Sequence, residues 1–143
     1  MIRKMTDADI DAVMDIWLKT NIAAHDFIPE NYWIGNFHAV KGEYLPKSEN
    51  YVFESDGAIK AFISVVDNYF IGALFVSSDY QGQGVGQKLL DYCKDNYSRL
   101  EVAVYKDNIA AVGFYMKLDF VIKKEQMNID SRYGEYIMEW GKN

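Results

Sequence analysis

The stretch Leu74-Phe75-Val76-Ser77-Ser78-Asp79-Tyr80-Gln81-Gly82-Gln83-Gly84-Val85-Gly86 joins an apolar run to a glycine-rich turn. The apolar run predicts the end of a strand, and the apolar spacing that follows Val85 predicts a helix. A helix start leaves backbone N–H groups unpaired and carries about half a positive charge, and glycines let an anion approach the main chain. The stretch therefore predicts an anion site where a strand passes into a helix.

Two common phosphate-binding patterns do not fit this turn. A dinucleotide-binding turn has glycine at its first, third and sixth positions, but the sixth position counted from Gly82 is Gln87. An NTPase loop ends in Gly-Lys-Ser/Thr, whereas Gly86 is followed by Gln87 and Lys88. The turn therefore predicts an anionic ligand other than a dinucleotide or an NTPase nucleotide.

The composition predicts one globular domain over residues 1–143. Half of the chain is hydrophobic, and two prolines give no sign of a linker. A net charge of -6 opposes nucleic-acid binding, and no apolar run is long enough to predict a membrane span. The single cysteine, Cys93, excludes an internal disulfide, so we expect a cytoplasmic protein.

Helical periodicity, caps and turn residues predict the other elements. In chain order these are a strand near Ile2, a helix capped by Thr6, a helix from Pro29 that Pro46 stops, a hairpin of 51–54 and 58–66, a strand 69–76, a helix from Val85, a strand 100–105, a helix 108–117, and strands 120–124 and 135–140. The expected fold class is α/β (α+β), with a mixed, mostly antiparallel twisted sheet flanked by about four helices.

Two segments resemble one protein family. Gln81-Gly82-Gln83-Gly84-Val85-Gly86 is similar to the signature Arg/Gln-x-x-Gly-x-Gly/Ala of the GCN5-related N-acetyltransferases, the GNAT superfamily. Asn108-Ile109-Ala110-Ala111-Val112-Gly113-Phe114-Tyr115-Met116-Lys117-Leu118-Asp119-Phe120 resembles that family's Asn-x-x-Ala-x-x-Phe-Tyr-x-x-x-Gly-Phe, with Asp119 in place of the glycine. The chain is thus identified as a bacterial-type, single-domain member.

The resemblance implies acetyl-CoA as the co-substrate and no metal. Backbone N–H groups in the glycine turn would hold the pyrophosphate, and the preceding strand would pair with the pantetheine arm. The implied cofactor-binding residues are Leu74, Phe75, Val76, Gln81, Gly82, Gln83, Gly84, Val85, Gly86, Gln87 and Asn108. Tyr115 is implied as the general acid for the leaving thiolate; packing as an ordinary core aromatic is its structural alternative.

The amine acceptor needs a route for its proton. A lysine with a pKa of ~10.4 costs roughly 4 to 5 kcal/mol to deprotonate at pH 7, and an α-amine only about 1. Glu101 is the first candidate base, with Glu43, His25 and His38 as further candidates. Cys93 lies on an apolar helix face without a paired histidine, so direct transfer to the amine is favoured over an acyl-cysteine route.

The segment His25-Asp26-Phe27-Ile28, with Asn31-Tyr32-Trp33, resembles a bacterial branch of the family that includes protein lysine acetyltransferases. The resemblance implies an acceptor groove; its candidate residues are His25, Phe27, Tyr32, Trp33 and Tyr44, for which core packing is the alternative. The expected acceptor is a small-molecule amine or a protein lysine, without nucleic acid or membrane, and the protein is a monomer or homodimer.

Two other function classes share parts of this pattern. A non-catalytic acyl-CoA-binding or sensing module would keep the glycine turn but would not need Tyr115 as an acid. A structural interaction domain would use the aromatic second helix and would not bind CoA. Binding of CoA separates the last class from the first two, and acetyl transfer separates the enzyme from the sensor.

Overall fold

Seven strands form one sheet in the computed structural model, which describes residues 1–142. Its order is β1-β2-β3-β4-β5-β7-β6, and every neighbouring pair is antiparallel except β4 and β5. The strands are β1 Ile2–Lys4, β2 Glu49–Ser55, β3 Ala58–Val66, β4 Phe70–Val76, β5 Arg99–Tyr105, β6 Val121–Met127 and β7 Gly134–Gly141. The predicted mixed, mostly antiparallel sheet is confirmed.

Helices cover both faces of this sheet. They are α1 Ile10–Ala24, α2 Glu30–Ala39, α3 Val85–Asn96 and α4 Ile109–Lys117. One apolar cluster packs α3 and α4 on the sheet, and a second packs α1 and α2 on it. In β5 the alternation assigns Val102 and Val104 to the first cluster and Tyr105 to the second, so this strand contributes to both layers.

The first helix begins with a short turn. Thr6 precedes a 3-10 turn, Asp7–Asp9, that leads directly into α1. The backbone N–H of Thr6 donates to the Asp9 carboxylate at 2.8 Å, as in a capping box. Thr6 therefore caps the helical segment as predicted, although the first turn is 3-10 rather than α-helical.

The end of the second helix differs from the prediction. Pro46 does not stop it, because the chain continues from α2 through a π-helical turn, Val40–Tyr44, into a 3-10 turn, Leu45–Lys47. Pro46 fits there because the first residues of a helical turn need no N–H donor. The wider π-turn also displaces Tyr44 from the α-helical stripe, and its side chain is 61% exposed.

Strands β4 and β5 separate partway along their length. Their parallel pairing is confined to Phe70 with Glu101 and Ile71 with Val102. Beyond this point β4 stays paired with β3 as far as Val76. A wedge therefore opens between the carboxyl-terminal halves of β4 and β5, at the end where β4 leads into the glycine turn.

Candidate active site

The glycine turn has the backbone geometry of an anion cradle. Gly82 and Gly84 both have φ of +78°, a conformation that side chains rarely adopt, and Gly84 is the N-cap of α3. An added Cβ at either glycine would meet nothing within 4 Å, so backbone conformation and not crowding requires glycine here. The turn is exposed and is tied to β4 by a hydrogen bond from Gln81 Nε2 to the Val76 carbonyl, 2.9 Å.

Within the described residues, the backbone N–H donors of the glycine turn have no hydrogen-bond acceptor. Within residues 1–142, no hydrogen bond engages the backbone N–H groups of residues 82–87; the first helical bond runs from Lys88 N–H to the Gly84 carbonyl at 3.0 Å. Successive free N–H groups at a helix start suit a pyrophosphate, whose oxygens accept hydrogen bonds and whose charge the helix dipole favours. The residues present therefore fit the phosphate portion of CoA.

The adjoining strand offers a second free edge. Leu74, Phe75 and Val76 pair with β3 on one side and have no partner in β5 on the other. Main-chain groups on that side face the wedge, where an extended amide-containing chain can add as a further strand. The edge thus fits the pantetheine portion of CoA.

Tyr115 reaches the same region from α4. It is 6% exposed and belongs to the cluster that also contains Val104, with Leu74 and Val76 packed against it. Its ring packs edge-to-face on Phe120 with centroids 5.2 Å apart. Burial raises the pKa of Tyr115 above its ordinary value, and no residue within 1–142 hydrogen-bonds its hydroxyl. The group is a protonated donor at neutral pH.

Asn108 lies at the start of α4. Its Oδ1 accepts the N–H of Ala111 at 3.2 Å and so caps the helix. Its Nδ2 lies 3.0 Å from Nε2 of His25, a residue at the end of α1. The cap fixes which way the amide faces, and the second Nδ2 hydrogen is left for another acceptor.

Comparison with known proteins agrees with this geometry. The model of the acetyltransferase (GNAT) domain family matches residues 28–131. The chain belongs to the GNAT family. The peptidyl-lysine N-acetyltransferase YiaC of Escherichia coli is 30% identical over 98% of this chain and 96% of its own length. Family membership confirms the predicted enzyme class, an N-acetyltransferase that uses acetyl-CoA.

Two solved structures show the same fold. The apo-form solution structure of YjaB from Escherichia coli superposes with a TM-score of 0.85 at 24% identity, over 98% of this chain and 96% of that one. The PaiA N-acetyltransferase of Thermoplasma acidophilum, solved with coenzyme A, gives 0.82 at 17% identity, over 99% and 98%. Both confirm the GNAT architecture predicted from the sequence.

Aromatic rings pack together in the cluster that holds α1 and α2 on the sheet, which is not the cluster of Tyr115. The His25 imidazole is stacked on Trp33 with centroids 5.3 Å apart, and it meets Phe27 at 5.7 Å and Tyr105 at 5.1 Å. Tyr32 packs edge-on against Trp33 at 4.9 Å. Four of the five predicted groove residues therefore lie together; Tyr44 lies outside this cluster.

A loop between β6 and β7 closes this aromatic cluster. The Tyr32 hydroxyl donates to Asp130 at 2.9 Å, and the Tyr105 hydroxyl donates to Ser131 at 2.8 Å. The buried Glu135 carboxylate accepts from the side-chain amides of Gln126 and Asn128. The alternation of side chains along β5 could have predicted that Tyr105 faces the aromatic cluster. No pattern in the sequence predicted that the loop between β6 and β7 closes it.

The four candidate bases are not gathered at Tyr115. The Glu101 carboxylate lies 3.5 Å from Lys123 and 3.9 Å from Arg99, where β4 and β5 are still paired. His38 and Glu43 are exposed. His25 is buried, and burial lowers its pKa to about 4 against a weaker opposing effect of the Asn21 carbonyl. The role of Glu101 as base stays a prediction.

Two further observations concern other sites. Within residues 1–142, no group of three or more His, Cys, Asp or Glu side chains is arranged to hold a metal ion. In the same residues, no helix combines the length and apolarity needed to cross a membrane. Cys93 is fully buried, which raises the pKa of its thiol to about 12.

Proposed function

We propose that this chain, as one domain over residues 1–143, transfers the acetyl group of acetyl-CoA directly to a lysine amine of a protein or peptide. The observation that carries the proposal is the union of three features at one wedge. These are the free N–H groups of the glycine turn, the free edge of β4, and the buried Tyr115 hydroxyl.

Residues of the turn and of β4 hold the co-substrate in this proposal. The N–H groups of residues 82–87 bind the pyrophosphate, and the main chain of residues 74–76 binds the arm that leads into the wedge. Asn108 adds its free Nδ2 hydrogen. Fixing the arm along a rigid strand places the thioester relative to the acceptor, which lowers the entropic part of the barrier.

Acetyl-CoA supplies an acetyl group activated as a thioester. The Tyr115 hydroxyl is protonated at neutral pH, since its ordinary pKa of ~10 is raised further by burial, and it donates to the departing sulfur. The CoA thiolate, whose thiol has an ordinary pKa of ~8.5, is a weaker base than tyrosinate, so the hydroxyl stabilises it chiefly through a donated hydrogen bond. The chain thus stabilises the leaving group, while the amine loses its own proton to a base or to water, with Glu101 on β5 as the proposed base.

A lysine acceptor is supported by the relatives and by charge. Both YiaC and YjaB are named as peptidyl-lysine N-acetyltransferases. The chain carries a net charge of -6, a field that attracts basic peptides and amines. The lone Cys93 fits a reducing compartment such as the cytoplasm.

Release of CoA thiol tests the proposal. The protein is mixed with acetyl-CoA and a panel of lysine peptides, peptides with blocked lysines, and small amines, and free thiol is followed with a colorimetric reagent. Because Cys93 is buried, the reagent reports CoA and not the protein. Release with the lysine peptides is expected; absence of release across the panel would contradict the proposal.

A melting scan with CoA separates the competing classes. A ligand that binds only the folded state raises the melting temperature. An enzyme and a sensing module both show this rise, and only the enzyme also releases thiol. An interaction domain shows neither effect.

A further inference from the structure

The hydrogen bond between His25 and Asn108 joins two segments that are 83 residues apart in the chain. Asn108 begins α4 on the cofactor side of the wedge, and His25 lies in the aromatic cluster on the other side. Nothing else in the proposed mechanism uses His25. His25 is nevertheless buried, with only 7% of its surface exposed, and its ring contacts three aromatic residues.

The direction of this hydrogen bond follows from the helix cap. Oδ1 of Asn108 accepts from Ala111 N–H, so the group that faces His25 is the amide Nδ2, which only donates. Nε2 of His25 must therefore accept, and the imidazole carries its single proton on Nδ1. The low pKa of His25, about 4, agrees with a neutral ring.

The ring itself is held in place by packing. Trp33 stacks on it at an interplanar angle of 28°, and Phe27 and Tyr105 meet it edge-on at 84° and 72°. Nδ1 is buried and makes no hydrogen bond of good geometry within residues 1–142, although the Asn21 carbonyl lies near enough to oppose the fall in the pKa of the ring. A proton on Nδ1 faces this carbonyl oxygen, which agrees with Nε2 as the acceptor towards Asn108.

We propose that His25 is a positioning residue: its Nε2 accepts one hydrogen of the Asn108 amide and thereby aims the other hydrogen at the arm of CoA. The inference rests on the proposed function, since it needs CoA in the wedge. Without Nε2 of His25 as hydrogen-bond acceptor, the amide of Asn108 is held only by its bond to Ala111, and its second N–H is less well oriented. His25 is then neither a base nor an acceptor-binding group.

Two substitutions at His25 separate this role from packing. His25→Phe keeps a ring in the aromatic cluster but removes the acceptor. His25→Gln places an amide oxygen near the position of Nε2 and restores it. Losing one neutral hydrogen bond predicts about a three- to tenfold rise in the CoA dissociation constant and in KM for acetyl-CoA for His25→Phe. His25→Gln is expected to stay within about twofold of wild type.

His38→Phe is the matched control, since it changes the only other histidine, which is exposed on α2. Asn108→Ser tests the other partner of the same hydrogen bond, because serine keeps the helix cap but lacks the amide donor. It should weaken CoA binding as His25→Phe does. The variant that combines His25→Phe with Asn108→Ser should bind CoA as tightly as Asn108→Ser alone, since both changes remove the same hydrogen bond.

Calorimetry with CoA on the full chain is the deciding measurement. The proposal predicts weaker binding for His25→Phe, rescue by His25→Gln, no change for His38→Phe, and non-additivity with Asn108→Ser. Equal CoA binding by wild type and His25→Phe would overturn it, as would equal loss in the Phe and Gln variants, which indicates packing alone. A wild type that does not bind CoA would overturn the proposed function as well.

A spectroscopic measurement serves if His25→Phe does not fold. The ¹⁵N shifts of the two imidazoles in wild type should show one neutral ring protonated on Nδ1, and Asn108→Ser should shift its Nε2 resonance. A ring protonated on Nε2, or a signal insensitive to Asn108→Ser, would overturn the proposal.

Discussion

At the residue scale, Tyr115 combines a buried ring with a hydroxyl that no residue within 1–142 engages. The hydroxyl oxygen is not fully buried, so it can take a hydrogen-bond partner from outside the protein. In the proposed mechanism the leaving sulfur of CoA is the partner of this hydroxyl. Burial fixes the ring, while the hydroxyl is protonated at neutral pH because its ordinary pKa is ~10.

Replacing Tyr115 by phenylalanine tests this role. The ring and its contact with Phe120 are kept, and only the proton donor is lost. We expect kcat to fall by about 10²-fold, the lower end for general acid catalysis, with the CoA dissociation constant nearly unchanged. Steady-state kinetics and calorimetry check both values. Unchanged turnover would remove Tyr115 from the mechanism.

The sequence predicts residue roles where a motif fixes both type and spacing. Asn108 and Tyr115 are seven positions apart on one short helix, so the motif was enough to pair them. The contact of Asn108 with His25 could not be predicted this way. It spans 83 positions and depends on how α1 and α4 meet across the sheet, which local periodicity does not determine.

At the element scale, the glycine turn shows how a strand passes into a helix without covering the helix start. Left-handed Gly82 and Gly84 turn the chain so that N–H groups stay exposed. The motif predicted this turn, because only glycine adopts such φ values freely. The π-turn after α2 was not predicted, since residues 40–44 carry an ordinary helical pattern.

Gly84→Ala tests the turn. Alanine at φ of +78° is strained by about 1 to 2 kcal/mol, and relief of that strain moves the N–H groups. We expect CoA to bind about tenfold more weakly. Gly35→Ala is the control, since Gly35 is exposed within α2; it should raise the free energy of unfolding by about 0.5 to 1 kcal/mol and leave CoA binding unchanged. Equal CoA affinities in both variants would argue against the cradle.

The end of α4 explains the departure from the family pattern. Asp119 stands where the family has glycine and adopts φ of +73°, while the Phe120 N–H closes the helix on the Tyr115 carbonyl at 3.0 Å. Aspartate tolerates this conformation better than most residues, as the sequence indicated.

Asp119→Gly should therefore stabilise the protein. Glycine removes the residual strain at the left-handed position, and we expect the free energy of unfolding to rise by about 1 kcal/mol, measured by urea unfolding. Asp119→Ala is the matched change in the opposite direction and should lower it. A loss of stability in the glycine variant would show that the aspartate side chain is itself stabilising.

At the scale of the whole molecule, the active site exists because two layers meet at one wedge. One layer holds β4, α3 and α4, which carry the cofactor features, and the other holds α1, α2 and the loop before β7, where the predicted acceptor groove lies. The alternating strand pattern was enough to predict a mixed sheet. The splay of β4 from β5 was not predictable, because it depends on pairing between strands separated by a whole helix.

A partly buried group of charges joins the sheet to the turn before α1. Arg3 on β1 contacts the Asp9 carboxylate at 2.7 Å and Glu54 on β2 at 2.8 Å. The hydrogen bond from Arg3 is the main reason that the pKa of Asp9 falls to about 2, from an ordinary value of 3.8. Since the folded pKa is below the unfolded one, the stabilisation is present above about pH 4 and is lost as the pH falls towards 2.

Asp9→Asn tests this link. The variant should be less stable than wild type at pH 7 and should lose less stability between pH 4 and pH 2, because the titrating carboxylate is gone. Urea unfolding at several pH values measures both effects. Asp11→Asn, at a carboxylate that is 94% exposed on α1, should keep the wild-type dependence. Identical slopes for wild type and Asp9→Asn would contradict the assignment.

In the proposed reaction, acetyl-CoA bound in the wedge gives its acetyl group to a lysine, with Tyr115 as the acid. Mass spectrometry of a lysine peptide incubated with acetyl-CoA and either wild type or Tyr115→Phe tests it most directly. Wild type is expected to add one acetyl group to the lysine, and a Tyr115→Phe variant that still binds CoA is expected to add it much more slowly. No acetylated peptide from a wild-type protein that binds CoA, or equal acetylation by both proteins, would contradict it.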